Sequence, residues 1–145
     1  MNNSMSRWIM PVIALLVAGL VYVSGSSAFA EDNVLQGSWN FTTVGKQGMH
    51  GQDPKALSQS FLLTFTAKSQ SRNEISGQPF GFTIAASHAP LGKLGESFSF
   101  TTPYMRGSSS YTITWRGKLS EDGKKITDGK FSMIMGSGEF TAEKK

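Results

Sequence analysis

The side chains that could act as nucleophiles, general bases or metal ligands are few, and their spacing does not favour catalysis. The chain has no cysteine and two histidines. His50 and His88 each lie in a connection rich in glycine or alanine, without a carboxylate at a spacing typical of a catalytic pair. His50 and Asp53 could meet across a turn, but such a pair is more often a solvated loop. The sequence therefore predicts a protein that is not an enzyme, with no metal site and no cofactor.

Aromatic side chains offer binding chemistry instead. Tyr111 carries a hydroxyl that could fix a polar group, and Trp115 presents a flat apolar wall. Large rings on the inner face of a curved sheet either line an apolar pocket or fill it. A small domain without disulfides needs to bury many such rings in order to fold. Both alternatives stay open. The predicted ligand-binding residues are Trp39, Phe82, Phe100, Tyr111 and Trp115.

A second candidate surface is the segment Pro103–Arg106, which precedes Gly107 and three serines. It collects residue types that are common in protein interfaces. We therefore predict Tyr104, Met105 and Arg106 as partner-binding residues at a break between strands. In the alternative interpretation, Tyr104 and Met105 fold back to cover one end of the core.

The elements that must position these residues are strands, because apolar residues recur at every second position and helical spacing is nearly absent. One helical turn is expected after Asp53, with Pro54 at its first position. A change of parity near Asp128 and Gly129 predicts a β-bulge there. The predicted strands cover Leu35–Thr42, Ser60–Ala67, Phe80–Ala86, Phe98–Phe100, Tyr111–Leu119, Lys125–Met135 and Phe140–Ala142.

The connections are short and rich in turn residues, which is typical of antiparallel hairpins. Each strand has one apolar face, so the sheet must cover that face, and closure also removes exposed edges. The predicted fold is all-β: an antiparallel meander of seven or eight strands, closed or nearly closed into a small barrel, with a β-sandwich as the alternative. The stretch Ala85–Glu96 is small and polar apart from Leu91 and Leu94, which could form an additional short strand or turn.

Residues 1–30 have the layout of an export signal. Arg7 precedes a long uncharged apolar stretch that ends at Ala28-Phe29-Ala30, a small-x-small cleavage site. We expect cleavage after Ala30 and one β domain over residues 31–145, in the periplasm or outside the cell, without stable membrane insertion. A retained membrane anchor is the alternative.

The charge of the chain argues against nucleic acid as a partner. The formal net charge is +4, of which Arg7 contributes one unit. Apart from Lys124-Lys125 and Lys144-Lys145, the basic residues of residues 31–145 are single and scattered.

Gly37-x-Trp39 on the first predicted strand resembles the Gly-x-Trp signature of the calycins, the family of lipocalin and avidin-like barrels. The stretches Thr114–Phe131, "TWRGKLSEDGKKITDGKF", and Gly138–Lys144, "GEFTAEK", look like the late hairpins of small lipocalin-like envelope proteins. The resemblance implies that Trp39 plugs one barrel end and that a basic residue near the last strand packs on it. Arg116 is the late arginine, and Lys144 and Lys145 are terminal.

These observations predict an exported, lipocalin-like binding module that holds a small hydrophobic ligand in the barrel. The alternative is a protein-binding module or an inhibitor of an envelope or secreted enzyme. It would act through the Tyr104 segment or the glycine-rich Gly45–Gly51 loop.

Overall fold

The computed structural model describes residues 33–145, which form one compact unit. The predicted export signal lies outside these residues. Short 3-10 turns cover Pro54–Leu57 and Pro79–Gly81. The strands are β1 (Gly37–Gly48), β2 (Ser60–Ala67), β3 (Asn73–Gly77), β4 (Ser87–Ala89), β5 (Ser97–Arg106), β6 (Ser109–Leu119), β7 (Lys125–Met133) and β8 (Gly136–Lys144).

The strands form one antiparallel sheet in the order β4-β3-β2-β1-β8-β7-β6-β5, so β1 pairs with both β2 and β8. The sheet curls until its two ends meet. The Ala85 amide donates to the Pro103 carbonyl at 2.8 Å, and Ile84 bridges to Tyr104. The predicted all-β, nearly closed antiparallel barrel is therefore confirmed.

Alternation of side chains along the strands builds the core, as the period-two pattern predicts. Trp39 and Phe41 on β1 and Ile113 and Trp115 on β6 are fully buried, whereas the residues between them are exposed or half-buried. Burial of each large side chain contributes roughly 1.5–3 kcal/mol. The Trp115 ring lies 5.4–6.0 Å from six phenylalanine rings. The middle of the barrel is thus packed with rings.

The prediction of a strand over Phe80–Ala86 is wrong. Phe80 lies in the 3-10 turn Pro79–Gly81 with φ of +55°, a left-handed backbone that a bulky residue rarely adopts. Its ring still turns inward and stacks on Trp115 at 6.0 Å. The strand that follows β2 is instead Asn73–Gly77, whose only large inward apolar side chain is Ile75.

Two local expectations are confirmed. The Asp53 carboxylate caps the first 3-10 turn by accepting from the Lys55 amide at 2.9 Å. The pairing of β7 shifts register between Ile126 and Gly129, and Asp128 has a φ of +53°, which marks the bulge. The stretch Ala85–Glu96 contains the short strand β4, which ends before Leu91, and Leu94 lies in a turn.

Candidate ligand site at one end of the barrel

Trp39 lies at the barrel end where β1 begins and is fully buried. Its indole N–H donates to the Leu35 carbonyl at 2.9 Å. The Lys144 ammonium lies 5.5 Å from the ring centroid and donates to the Val34 carbonyl at 3.0 Å. Burial lowers the pKa of Lys144 below its usual value. The basic residue on this tryptophan is thus Lys144, whereas Arg116 is exposed on the outside of the sheet.

Trp115 and Phe100 belong to the packed interior. Both are buried, and their rings stack at 6.0 Å. The Trp115 indole N–H donates to the Thr102 hydroxyl at 3.0 Å. Because the indole N–H groups of Trp39 and Trp115 both have internal acceptors, neither offers a free polar group to a ligand.

Phe82 and Tyr111, the two other predicted ligand-binding residues, both lie at the opposite end of the barrel, where β5 ends and β6 begins. Both are half-buried. Tyr104 lies between them: the Phe82 ring stacks on it at 4.5 Å, and the Tyr111 ring lies 5.7 Å away. Tyr111 stands directly opposite Tyr104 in the β5–β6 pairing. We call this group of three rings the aromatic mouth.

The Tyr104 hydroxyl is the unusual atom of the aromatic mouth. The residue is 1% exposed, and within residues 33–145 the hydroxyl is the one buried side-chain polar atom without a hydrogen-bond partner. Burial raises the pKa of Tyr104, while the nearby Arg106 charge lowers it to a smaller extent. A buried hydroxyl without a partner costs roughly 1–3 kcal/mol, so a native protein that keeps one requires an explanation.

The predicted partner-binding segment is a strand and not a loop, because β5 continues through Arg106 and the turn follows at Gly107 and Ser108. Tyr104 therefore points into the barrel. Met105 is 53% exposed, and Arg106 is exposed. Arg106 is two residues from Tyr104, so both side chains leave the same face of the strand.

The same end carries exposed apolar side chains, those of Met49, Met105 and Ile134, which we call the apolar rim. The Met49 amide donates to the Met135 carbonyl at 2.9 Å, and the Arg106 guanidinium contacts the Met135 sulfur at 3.6 Å. These contacts bring together the Gly45–Gly51 segment, the turn between β5 and β6 and the turn between β7 and β8. Met49 and Ile134 are 45% and 41% exposed. The fold thus places the Tyr104 segment beside the glycine-rich Gly45–Gly51 segment, whose first part extends β1.

Other chemistry has little support in the described part of the chain. No group of three or more histidine or acidic side chains comes together there in a way that could hold a metal ion. Between residues 33 and 145 there is likewise no helix with the length and apolar character needed to cross a membrane.

Sequence reasoning did not include Tyr104 among the ligand-binding residues, because it assigned that residue to an exposed loop. The signal that could have identified it is parity. Phe98, Phe100, Thr102 and Tyr104 continue one alternating series, and all four point inward.

The chain matches no protein-family profile, no curated protein and no solved structure. The resemblance to the calycins stays a prediction that rests on the motif residues alone. The geometry of the aromatic mouth therefore carries the functional argument.

Proposed function

We propose that this protein is an exported binding module whose ligand is a small amphipathic molecule, held at the aromatic mouth. The observation that carries the proposal is the buried Tyr104 hydroxyl without a partner. A ligand oxygen that accepts from this hydroxyl would remove the cost of leaving it unpaired.

The surroundings of the hydroxyl suggest the chemistry of the ligand. Phe82 and Tyr111 offer ring faces to an apolar chain, and Arg106 adds a positive charge on the same side of β5. A carboxylate on an alkyl chain would combine both features, since charge-assisted hydrogen bonds are stronger than neutral ones. The ligand would lie at the mouth, because the middle of the barrel is filled by the rings around Trp115.

Entry to this site would involve the segment Phe82–Ala86. Phe82 covers one face of the Tyr104 ring, and the segment is joined to β5 by the Ala85–Pro103 hydrogen bond and the bridge at Ile84. Displacing so few contacts costs little compared with opening a complete strand pair.

Calorimetric titration with dodecanoate, below the concentration at which it forms micelles, tests the proposal. Wild-type protein is expected to bind dodecanoate and to bind dodecyltrimethylammonium much more weakly, because Arg106 repels the second head group. Tyr104→Phe should weaken dodecanoate binding about 10- to 100-fold, as expected for a lost hydrogen bond to a charged group.

Tyr111→Phe is the matched control, since it removes the hydroxyl of the neighbouring half-buried ring and keeps Tyr104. We expect it to change the affinity less than Tyr104→Phe does. Absence of dodecanoate binding to the wild-type protein, or equal binding by Tyr104→Phe, would contradict the proposal.

A second candidate function is a protein-binding module, including an inhibitor of an envelope or secreted enzyme. The apolar rim favours it, because Met105, Met49 and Ile134 are exposed at adjoining connections and methionine adapts to varied partners. A protein that binds the wild type and Tyr104→Phe equally, but not Met105→Ala, would favour this function over the first.

A further inference from the structure

Arg116 on β6 and Lys130 on β7 stand directly opposite each other on the outer face of the sheet. Both side chains are exposed. Like charges in this arrangement destabilise a sheet, because cross-strand neighbours approach to roughly 4.5–5.5 Å between Cβ atoms. We call Arg116 and Lys130 the cationic pair.

The β-bulge changes the strand pairing beside this pair. If the register Arg116 opposite Lys130 continued unbroken, Lys118 would stand opposite Asp128. The register shift instead places Thr127 opposite Lys118 and leaves Asp128 in a left-handed backbone. Lys118 and Asp128 are therefore not cross-strand partners, although the like-charged Arg116 and Lys130 are.

Cations outnumber carboxylates around the pair: Lys46, Arg116 and Lys130 accompany Glu139 along one groove, and Arg116, Lys118 and Lys130 accompany Asp128 along the other. The ion pairs within residues 33–145 are Lys46–Glu139 and Lys68–Glu74. Glu139 is the cross-strand neighbour of Lys130 on β8, but its carboxylate lies 4.0 Å from the Lys46 ammonium. Arg116, Lys118 and Lys130 have no carboxylate within ion-pairing distance there.

Two open grooves meet at the cationic pair. One has a volume of about 430 Å³ and is lined by the hydroxyls of Thr114, Ser132 and Ser137 and by the ion pair Lys46–Glu139. The other has a volume of about 460 Å³ and is lined by the hydroxyls of Ser97 and Ser99, by Lys118 and by Asp128. Arg116 and Lys130 line both grooves. Guanidinium, ammonium and hydroxyl groups together are the donors that a tetrahedral oxyanion needs.

We propose that the cationic pair is a binding site for a phosphate or sulfate ester group, separate from the aromatic mouth. Arg116 donates two parallel hydrogen bonds to the oxyanion, and Lys130 and Lys118 supply point charges. The bound anion removes the repulsion between Arg116 and Lys130. Nearby serine and threonine hydroxyls bind the remainder of the molecule that carries the ester.

The test follows backbone amide NMR signals of the protein during titration with inorganic phosphate and, separately, inorganic sulfate, with sodium chloride at equal ionic strength as the reference. We expect saturable shifts confined to the amides around Arg116 and Lys130, and the anion that saturates at lower concentration identifies the preferred ester. Arg116→Gln and Lys130→Gln should each abolish saturation.

Lys93→Gln, which removes one exposed positive charge elsewhere, is the matched control and should bind like the wild type. The expected result has a second readout: at low ionic strength Arg116→Gln should raise the midpoint of urea unfolding, because it relieves the like-charge contact. Shifts that do not saturate, that persist in Arg116→Gln, or that disappear equally in Lys93→Gln would overturn the proposal.

Discussion

Tyr104 carries one buried atom through which stability and the proposed ligand binding would be linked. Its hydroxyl is enclosed by protein without a partner in residues 33–145, whereas the indole N–H groups of Trp39 and Trp115 both have acceptors. A group that weakens the empty fold and gains a partner in the complex would favour the occupied state. Removing the hydroxyl should therefore stabilise the ligand-free protein and weaken ligand binding.

Tyr104→Phe is expected to stabilise the ligand-free protein by about 1–2 kcal/mol, because it removes the unpaired hydroxyl and keeps the stacked ring. Urea unfolding measures this change, and Tyr111→Phe serves as the reference. A loss of stability in Tyr104→Phe would show that the hydroxyl already has a partner, such as a buried water.

The same variant carries a pH signature. Burial raises the pKa of Tyr104 above its ordinary value of 10.0, so the unfolded chain releases this proton first as the pH rises. The native state then retains more protons, and the free energy of unfolding falls with pH from about 10 up to the native pKa. The stability advantage of Tyr104→Phe should therefore grow above pH 10.

The contact between Lys144 and Trp39 could not be predicted from the sequence around either residue. Lys144 stands between Glu143 and Lys145, without an apolar pattern that would predict a buried contact, yet β8 extends to Lys144 and pairs it with Trp39. Its contact with the tryptophan depends on which strand closes next to β1. That pairing is a property of the whole sheet and not of local pattern.

At the scale of elements, the β7 bulge depends on the absence of a side chain at Gly129. A methyl group there would overlap the Phe140 carbonyl oxygen and lie 2.8 Å from the Phe140 ring. Asp128, beside it, carries the left-handed conformation that glycine adopts without steric cost. Position 129 thus has no room for a side chain, whereas position 128 has a backbone conformation that glycine would adopt more easily than aspartate.

Gly129→Ala is expected to lower the free energy of unfolding by roughly 1–3 kcal/mol, the usual cost of overpacking. Asp128→Gly should leave stability unchanged or slightly raised, because it relieves the backbone while a flexible glycine costs some unfolded-state entropy. Thermal and urea unfolding compare the two variants. Equal destabilisation by both would contradict this account of the bulge.

The elements also show where the period-two pattern succeeds and where it fails. It identifies β6 almost residue by residue, since Tyr111, Ile113, Trp115 and Leu119 share one face. It fails at Phe80–Ala86, because Pro79 and Gly81 impose a turn although the aromatic spacing imitates a strand. It misses β3, whose inward residues Asn73 and Ile75 include only one apolar side chain. Asn73 is instead stabilised by side-chain hydrogen bonds to Asn33 at 2.7 and 2.9 Å.

At the scale of the whole molecule, closure of the barrel is its weakest connection. β1 and β8 pair along most of their lengths, whereas the two ends of the sheet join through Ile84 and Ala85. β4 has three residues and pairs with β3. The candidate ligand site lies at this seam, which the linear sequence does not identify because it depends on how far the sheet curls.

Hydrogen exchange should therefore be fastest at the seam among the paired amides. We expect the amides of residues 84–89 to exchange about a hundredfold faster than those of β1 and β8, because local opening there breaks few hydrogen bonds. Exchange measured by NMR, with and without dodecanoate, tests this. Uniform protection around the sheet would contradict a weak seam.

The rim also gives the barrel two chemically different ends. The chain has no cysteine. The four methionines of residues 33–145 all lie at the barrel end that carries the aromatic mouth: Met49, Met105, Met133 and Met135. A mild oxidant would form sulfoxides there first, at Met105 and Met49, whose side chains are the more exposed. Such oxidation would make this one end polar and leave the tryptophan and lysine at the far end chemically intact.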